Sequence, residues 1–152
     1  VQQNGVIFNM AETAYYEHWS EYSMYLWDWP NFTPEELASW TVVNGKRGPK
    51  GPLLLNFDAL DKLQDLRDII GKPFHVNSAY RSPEYNAWLS SQSSGVASRS
   101  KHMEGIAFDI GMHNQDRTEF VRLARQFGFN GIGHYSTFTH IDTRENQAEW
   151  WG

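Results

Sequence analysis

The run Ser98–Gly111, reading SRSKHMEGIAFDIG, constrains this chain more than any other stretch, because it sets a histidine at the entry of a strand and a carboxylate inside it. From Ile106 onward the residues alternate. Ile106, Phe108, Ile110 and Met112 share one face and Ala107, Asp109 and Gly111 the other, the pattern of a half-buried strand. A strand chosen for packing alone would carry Val, Ile or aromatic residues beside Asp109. Ala107 and Gly111 instead leave room for something to approach that carboxylate closely, and a metal ion held by His102 and Asp109 is one candidate.

The chain has no cysteine, so disulfides and thiolate ligands are excluded and any metal must be held by His, Asp or Glu. At 152 residues with 40% hydrophobic content it is long enough for a single domain with a proper core. Its net charge is −5, with Lys and Arg scattered, which argues against a nucleic-acid or anionic-lipid footprint. No apolar run approaches the ~20 residues of a membrane span. A start at Val1 rather than Met reads as a processed or excised segment, so localisation stays open at this point.

Residues 1–31 carry a heavy aromatic load, including Phe8, Tyr15, Tyr16, Trp19, Tyr22, Tyr25, Trp27 and Trp29. Tyr15, Trp19 and Tyr22 fall at helical spacing, so an aromatic N-terminal helical extension is expected, capped by Asn9 or Thr13 and packed on the main domain, residues 32–152, as one compact unit. His18 reads as structural. Thr33-Pro34-Glu35-Glu36 is a capping box opening a short helix through Leu37 and Trp40, and Asn44–Pro52 reads as a loop. Phe57, Leu60, Leu63, Leu66 and Ile69 or Ile70 form the stripe of a core helix from Asn56 to Ile70, stopped by Gly71.

Phe74–Tyr80 alternates as a strand, and Ser82 caps a helix beginning at Pro83. Ser90–Ser100 is a polar loop placed just before His102, where loops often border sites. A further helix from Asn114 or Gln115 ends at Gly128, and Gly131–Gly133 with Phe138–Asp142 form two closing strands joined by a tight turn. Hairpin-joined strands with interspersed helices argue for an α+β fold with a mostly antiparallel sheet.

On the last strand Phe138, His140 and Asp142 share a face. If Ile141 faces the core with Phe108, His140 faces the cleft that holds Asp109. Two His and one Asp with an open fourth position match a catalytic zinc arrangement better than a structural one, which four protein ligands usually close. Taken alone, a His on a strand is more often a satisfied polar group than a ligand.

Three blocks carry a resemblance. Ser78–Asn86 (SAYRSPEYN), Ser100–Asp109 (SKHMEGIAFD) and Gly131–Gly133 with Phe138–Arg144 (FTHIDTR) together resemble the M15 family of zinc peptidases. More narrowly, they are similar to the C-terminal-domain branch of its subfamily A, relatives of D-Ala-D-Ala carboxypeptidases and murein endopeptidases that share a fold with the hedgehog signalling domain. The match spans roughly residues 32–144 and leaves Trp150-Trp151 outside.

The resemblance implies that His102, Asp109 and His140 hold Zn2+, that Arg81 grips a substrate carboxylate or carbonyl, and that Ser100 and Tyr80 help orient a ligand or the substrate. It implies hydrolysis of peptidoglycan peptides by a zinc-activated water, in the cell envelope, the periplasm or outside the cell, from a bacterial or phage gene. The expected assembly is a monomer or part of a larger envelope or virion protein. The chain departs from many members at Thr137, where they place an acid three residues before the last His ligand; a Thr hydroxyl is too weak a base for that task. Asp142, as base or as a partner of His140, and then His134 are the substitutes, with Glu104 a third; for Asp142 an ion pair with Arg144 or Arg81 is the competing reading. The rival function is a binding or structural module that keeps the zinc fold without efficient catalysis.

Overall fold

The structure is a computed structural model that describes residues 12–152 together with the two-residue strands β1 (Gln2–Gln3) and β2 (Val6–Ile7), which pair antiparallel. Phe8 and Asn9 lie outside the described residues. The expected N-terminal helix is replaced by strand β3 (Thr13–Tyr16) and two 3-10 turns, Trp19–Glu21 and Met24–Leu26. β3 finds its hydrogen bonds on β6 (Leu53–Asn56), with Tyr15 opposite Leu54, so a distant partner overrides the helical spacing of the rings. His18 caps the first turn through its ring, accepting from the Ser20 N–H.

Thr33 caps α1 (Pro34–Leu37), accepting from the Glu36 N–H, and the chain leaves the helix before Trp40. Trp40 instead opens β4 (Trp40–Val43), which pairs with β5 (Lys46–Lys50). The segment expected as a loop is therefore a hairpin. Asn44 and Gly45 both have positive φ, 52° and 72°, the backbone of the tightest hairpin turn. Asn56 caps α2 (Phe57–Ile70), and Gly71 ends it in the left-handed conformation at φ 74°.

The remaining elements are β7 (Val76–Ser78), α3 (Pro83–Gln92) capped by Ser82, the 3-10 turn Lys101–Glu104, β8 (Ala107–Gly111), α4 (Arg117–Gln126), β9 (Gly131–His134), β10 (Phe138–Asp142) and β11 (Ala148–Trp151). Five of these strands form the main sheet in the order β11-β9-β10-β8-β7, antiparallel throughout except for β11, which runs parallel to β9. The fold is α+β, as expected. β11 is an addition that the residue pattern did not announce.

Register sorts the sheet into two faces. Phe108 lies opposite Ile141, and Ile141 opposite Ile132; these side chains join Leu60, Leu63 and Leu66 of α2 and Phe120 and Leu123 of α4 in one buried core. Asp109 opposite His140, and His140 opposite Gly133, put the polar residues on the other face. Among the described residues no helix is long and apolar enough to cross a membrane.

Candidate active site

His102, Asp109 and His140 meet on the polar face, and one ligand atom from each lies within 4.8 Å of the others. All three are buried, at 2%, 6% and 8% exposure, which sets them apart from a solvated acidic cluster. His102 arrives on the 3-10 turn. Ser100 Oγ accepts the His102 N–H at 3.2 Å to start that turn, and Gly105, at φ 74°, stops it. Asp109 and His140 arrive as a cross-strand pair from β8 and β10.

Each imidazole is oriented through the nitrogen that faces away from the cluster. His102 Nδ1–H donates to the Ala79 carbonyl at 2.6 Å, leaving Nε2 to face Asp109 Oδ1 at 3.1 Å. His140 Nε2–H donates to Asp142 Oδ2 at 2.7 Å, leaving Nδ1 to face the same Asp109 oxygen at 3.0 Å. A carbonyl and a carboxylate behind the rings are what fix the tautomer of metal-ligating histidines. Two neutral nitrogens and one carboxylate oxygen converging on a point are a donor set for a borderline divalent ion, with room for a water or substrate in the fourth position.

Charge agrees with this geometry at His102 and at the two carboxylates. Burial holds His102 below the usual histidine range despite the pull of Asp109, so its ring is neutral. Burial would lower His140 as well, but its hydrogen bonds to Asp109 and Asp142 outweigh that and raise it. Asp109 and Asp142 both resist the upward push of burial and sit below the usual carboxylate range. Asp109 is held there by the two histidines, and Asp142 by Arg144 and His140.

The cluster opens into a cleft of about 520 Å³ whose lining includes Arg81, Arg99, Ser100, Lys101, Tyr135, Phe138, Arg144 and Trp150. Arg81 Nη2 donates to Asp109 Oδ2 at 3.3 Å and its Nε to Ser78 Oγ at 3.3 Å, so the guanidinium stands beside the cluster as expected. Asp109 is the sole carboxylate of this lining among the described residues, against four cationic side chains.

A model of the family described as peptidase M15 matches residues 30–142. The chain belongs to the peptidase M15 family. It is 36% identical over 87 residues to the peptidoglycan L,D-endopeptidase MepK of Escherichia coli K12, covering 55% of this chain and 48% of that protein. It is 37% identical over 87 residues to the zinc D-Ala-D-Ala carboxypeptidase of Streptomyces albus G, covering 53% of this chain and 32% of that protein. The chain thus spans about half the length of MepK and about a third of the carboxypeptidase.

Other expected site residues of this M15 chain fall elsewhere. His134 is on the wrong face: it pairs with Thr139 on β10, so alternation turns it away from His140, onto Glu149 at 2.7 Å and flat against Trp151. Tyr80 is buried outside the cleft lining, its phenol pushed up to about 12 by burial first and then by Tyr15 and Glu84. Glu104 is exposed and paired with Lys101 at 3.0 Å, and Thr137 is exposed on a separate depression beside Met112 and Arg117.

Asp142 lies behind His140 and not in the cleft lining. Its carboxylate is fully buried and both oxygens are taken: Oδ1 accepts from the Arg144 N–H and Nε, Oδ2 from Arg144 Nη2 and His140 Nε2. That geometry suits an orienting partner and leaves no lone pair aimed at a water in the cleft. Gly131 makes the arrangement possible, since a Cβ there would overlap the Asp142 carboxylate.

Trp150 and Tyr135 are cleft residues that sequence reasoning missed, whereas Phe138 lines the cleft on the His140 face that alternation gave it. Trp150 fits over Gly133, where a Cβ would come within 2.6 Å of the indole, packs 5.2 Å from the His140 ring and lies under the Arg144 guanidinium. The two glycines of β9, on the His140 face, were the available signal.

Proposed function

We propose that this chain is a zinc-dependent peptidase that hydrolyses peptidoglycan stem peptides or cross-links, as a carboxypeptidase or an endopeptidase acting at the bacterial envelope. The observation that carries the reading is the buried His102, Asp109 and His140 cluster, with both rings pre-oriented and an open side on a cleft. The similarity to two proteins named for peptidoglycan and D-Ala-D-Ala cleavage supplies the substrate class. Because those names point to different bonds, the scissile bond here is read from products.

Bound zinc would supply a water whose pKa is lowered toward neutrality and a Lewis acid for the carbonyl. The residues of the chain do the rest. Arg81, held by Asp109 and Ser78, offers its remaining guanidinium donors to a substrate carboxylate or carbonyl. Ser100 shapes the turn that delivers His102, and Asp142 holds His140 in the tautomer that frees Nδ1. Arg99 and Lys101 add positive charge to a cleft in a chain of net charge −5, which suits the carboxylates of stem peptides. Residues 1–31 are proposed as an extension packed on the peptidase domain, and the whole as a monomer or a part of a larger envelope or virion protein, from a bacterial or phage gene.

The absence of a second carboxylate from the described cleft lining favours one rival, a zinc-holding binding module without efficient turnover. One experiment separates them. Protein carrying one zinc per chain is incubated with muropeptides and the products are resolved by mass spectrometry. Cleavage by the wild type, lost together with zinc in His102→Ala, supports the peptidase. Full zinc with unchanged muropeptides gives the binding module, and failure to bind zinc sinks both.

A further inference from the structure

We propose that the Tyr135 hydroxyl is a catalytic hydrogen-bond donor, aimed by the Trp150 indole at the peptide carbonyl oxygen as that oxygen gains charge. The proposal rests on the peptidase reading and adds to it a group that lies in the turn between β9 and β10 and lines the cleft with His140.

An indole nitrogen carries a hydrogen and has no lone pair free to accept one. Its N–H only donates, so the Trp150 Nε1 to Tyr135 Oη contact, at 2.9 Å, makes the phenol oxygen the acceptor. The phenolic hydrogen is then left to point elsewhere, and among the described residues no acceptor takes it. Its ring is held as well: it stacks on Phe138 at 4.5 Å and 6°, and the Tyr135 N–H donates to the Phe138 carbonyl at 3.1 Å. Trp150 in turn is wedged between Gly133, the His140 ring and Arg144. The hydroxyl is thereby fixed relative to the metal-binding histidine through one intervening side chain. A donor fixed before the reaction stabilises developing charge without reorganising at the moment of reaction.

Several other donors of the cleft have commitments, and the Arg81 donors that remain are those assigned above to the substrate. Arg81 Nη2 is on Asp109, the Arg144 Nε and Nη2 groups are on Asp142, and Lys101 is on Glu104. In the proposed step a water that has lost one proton to solvent adds its oxygen to the carbonyl carbon and the carbonyl π pair moves onto oxygen. When that pair returns, the C–N bond breaks and the leaving nitrogen takes a proton from solvent. Tyr135 shares its hydrogen with the carbonyl oxygen and keeps its proton, so no proton transfer is assigned to it. Trp150 is a positioning residue that acts through Tyr135.

The test uses the full chain with one zinc bound, in wild type, Tyr135→Phe, Trp150→Phe and the double variant. Each is measured for kcat and KM on muropeptides, zinc content, and affinity for a phosphinate dipeptide, whose tetrahedral oxygen stands where the oxyanion would form. Tyr135→Phe is expected to lower kcat and phosphinate affinity by about 10²-fold with KM and zinc content little changed. Trp150→Phe should lose part of the same factor, and the double variant no more than Tyr135→Phe alone, because the two act as a unit. Unchanged kcat and phosphinate affinity in Tyr135→Phe, with an active wild type, would overturn this proposal and leave the peptidase standing. Loss of zinc in that variant, or a rise in KM alone, would equally overturn it by assigning the ring to packing. A zinc-loaded wild type that cleaves nothing removes the peptidase reading and this step with it.

Discussion

Replacing Asp142 by Asn separates two jobs that a carboxylate beside His140 could hold. The side chain is fully buried and accepts from four donors, the Arg144 N–H at 3.1 Å, Nε at 2.8 Å and Nη2 at 2.7 Å, and His140 Nε2 at 2.7 Å. Asn keeps the shape, removes the charge and turns one acceptor into an NH2 group. If that group faces Arg144, two donors lose their partner. If it faces His140, the ring is driven to the tautomer with the proton on Nδ1, the atom that faces Asp109 in the candidate metal cluster. Either way zinc affinity should fall about 10- to 100-fold, the usual cost of losing such a partner, or roughly 1.4–2.7 kcal/mol. Metal-free stability should fall too, toward the lower end of the about 3–5 kcal/mol for a broken buried pair, because the Arg144 side chain keeps 26% exposure and can turn to water. Competition against a chromophoric chelator reads the first quantity and denaturant unfolding the second. At saturating zinc the variant should retain much of its turnover. The opposite pattern, full zinc affinity with turnover lost by ~10²-fold or more, is what loss of a general base produces, and it would refute the orienting role.

Gly133→Ala should push the Trp150 indole off His140 and Tyr135, since the new Cβ would sit 2.6–2.7 Å from three of its ring atoms. Overpacking of this kind costs about 1–3 kcal/mol, so a lower denaturation midpoint and weaker zinc binding are expected; wild-type values for both would mean the indole has room to shift. Tyr80 gives an alkaline signature. Its phenol stands at about 12 in the fold and near 10 when unfolded. As pH rises past 10 the unfolded chain releases the proton first, so stability present below 10 is lost between those values. Tyr80→Phe should remove that part of the decline, and unfolding curves with the same pH slope in both proteins would contradict the assignment.

What could be read from the residues divides by how far away the deciding partner lies. Thr33, Asn56 and Ser82 announced their helices because a cap acts within three residues, and Asp109 and His140 fell on one face because alternation is local once strands are recognised. The rings of Tyr15, Trp19 and Tyr22 misled because their spacing is helical while the hydrogen bonds that decide the backbone come from β6, some forty residues on. Trp150 was illegible for a similar reason: only the parallel register of β11 on β9 places it opposite Gly133 and so against His140. Asp142 shows the finer limit. Its place beside His140 followed from alternation, but alternation cannot tell a carboxylate that faces the cleft from one tucked behind a ring. The missing Cβ at Gly131 and the Arg144 fork decide that it is tucked. Two glycines at alternate positions of β9, paired in register with His140 and Asp142, are therefore the written trace of what stands behind and beside His140. Gly131 clears space for the carboxylate that orients the ring, and Gly133 for the indole that braces it. On this strand the sequence specifies the support of His140 by omitting side chains on the neighbour.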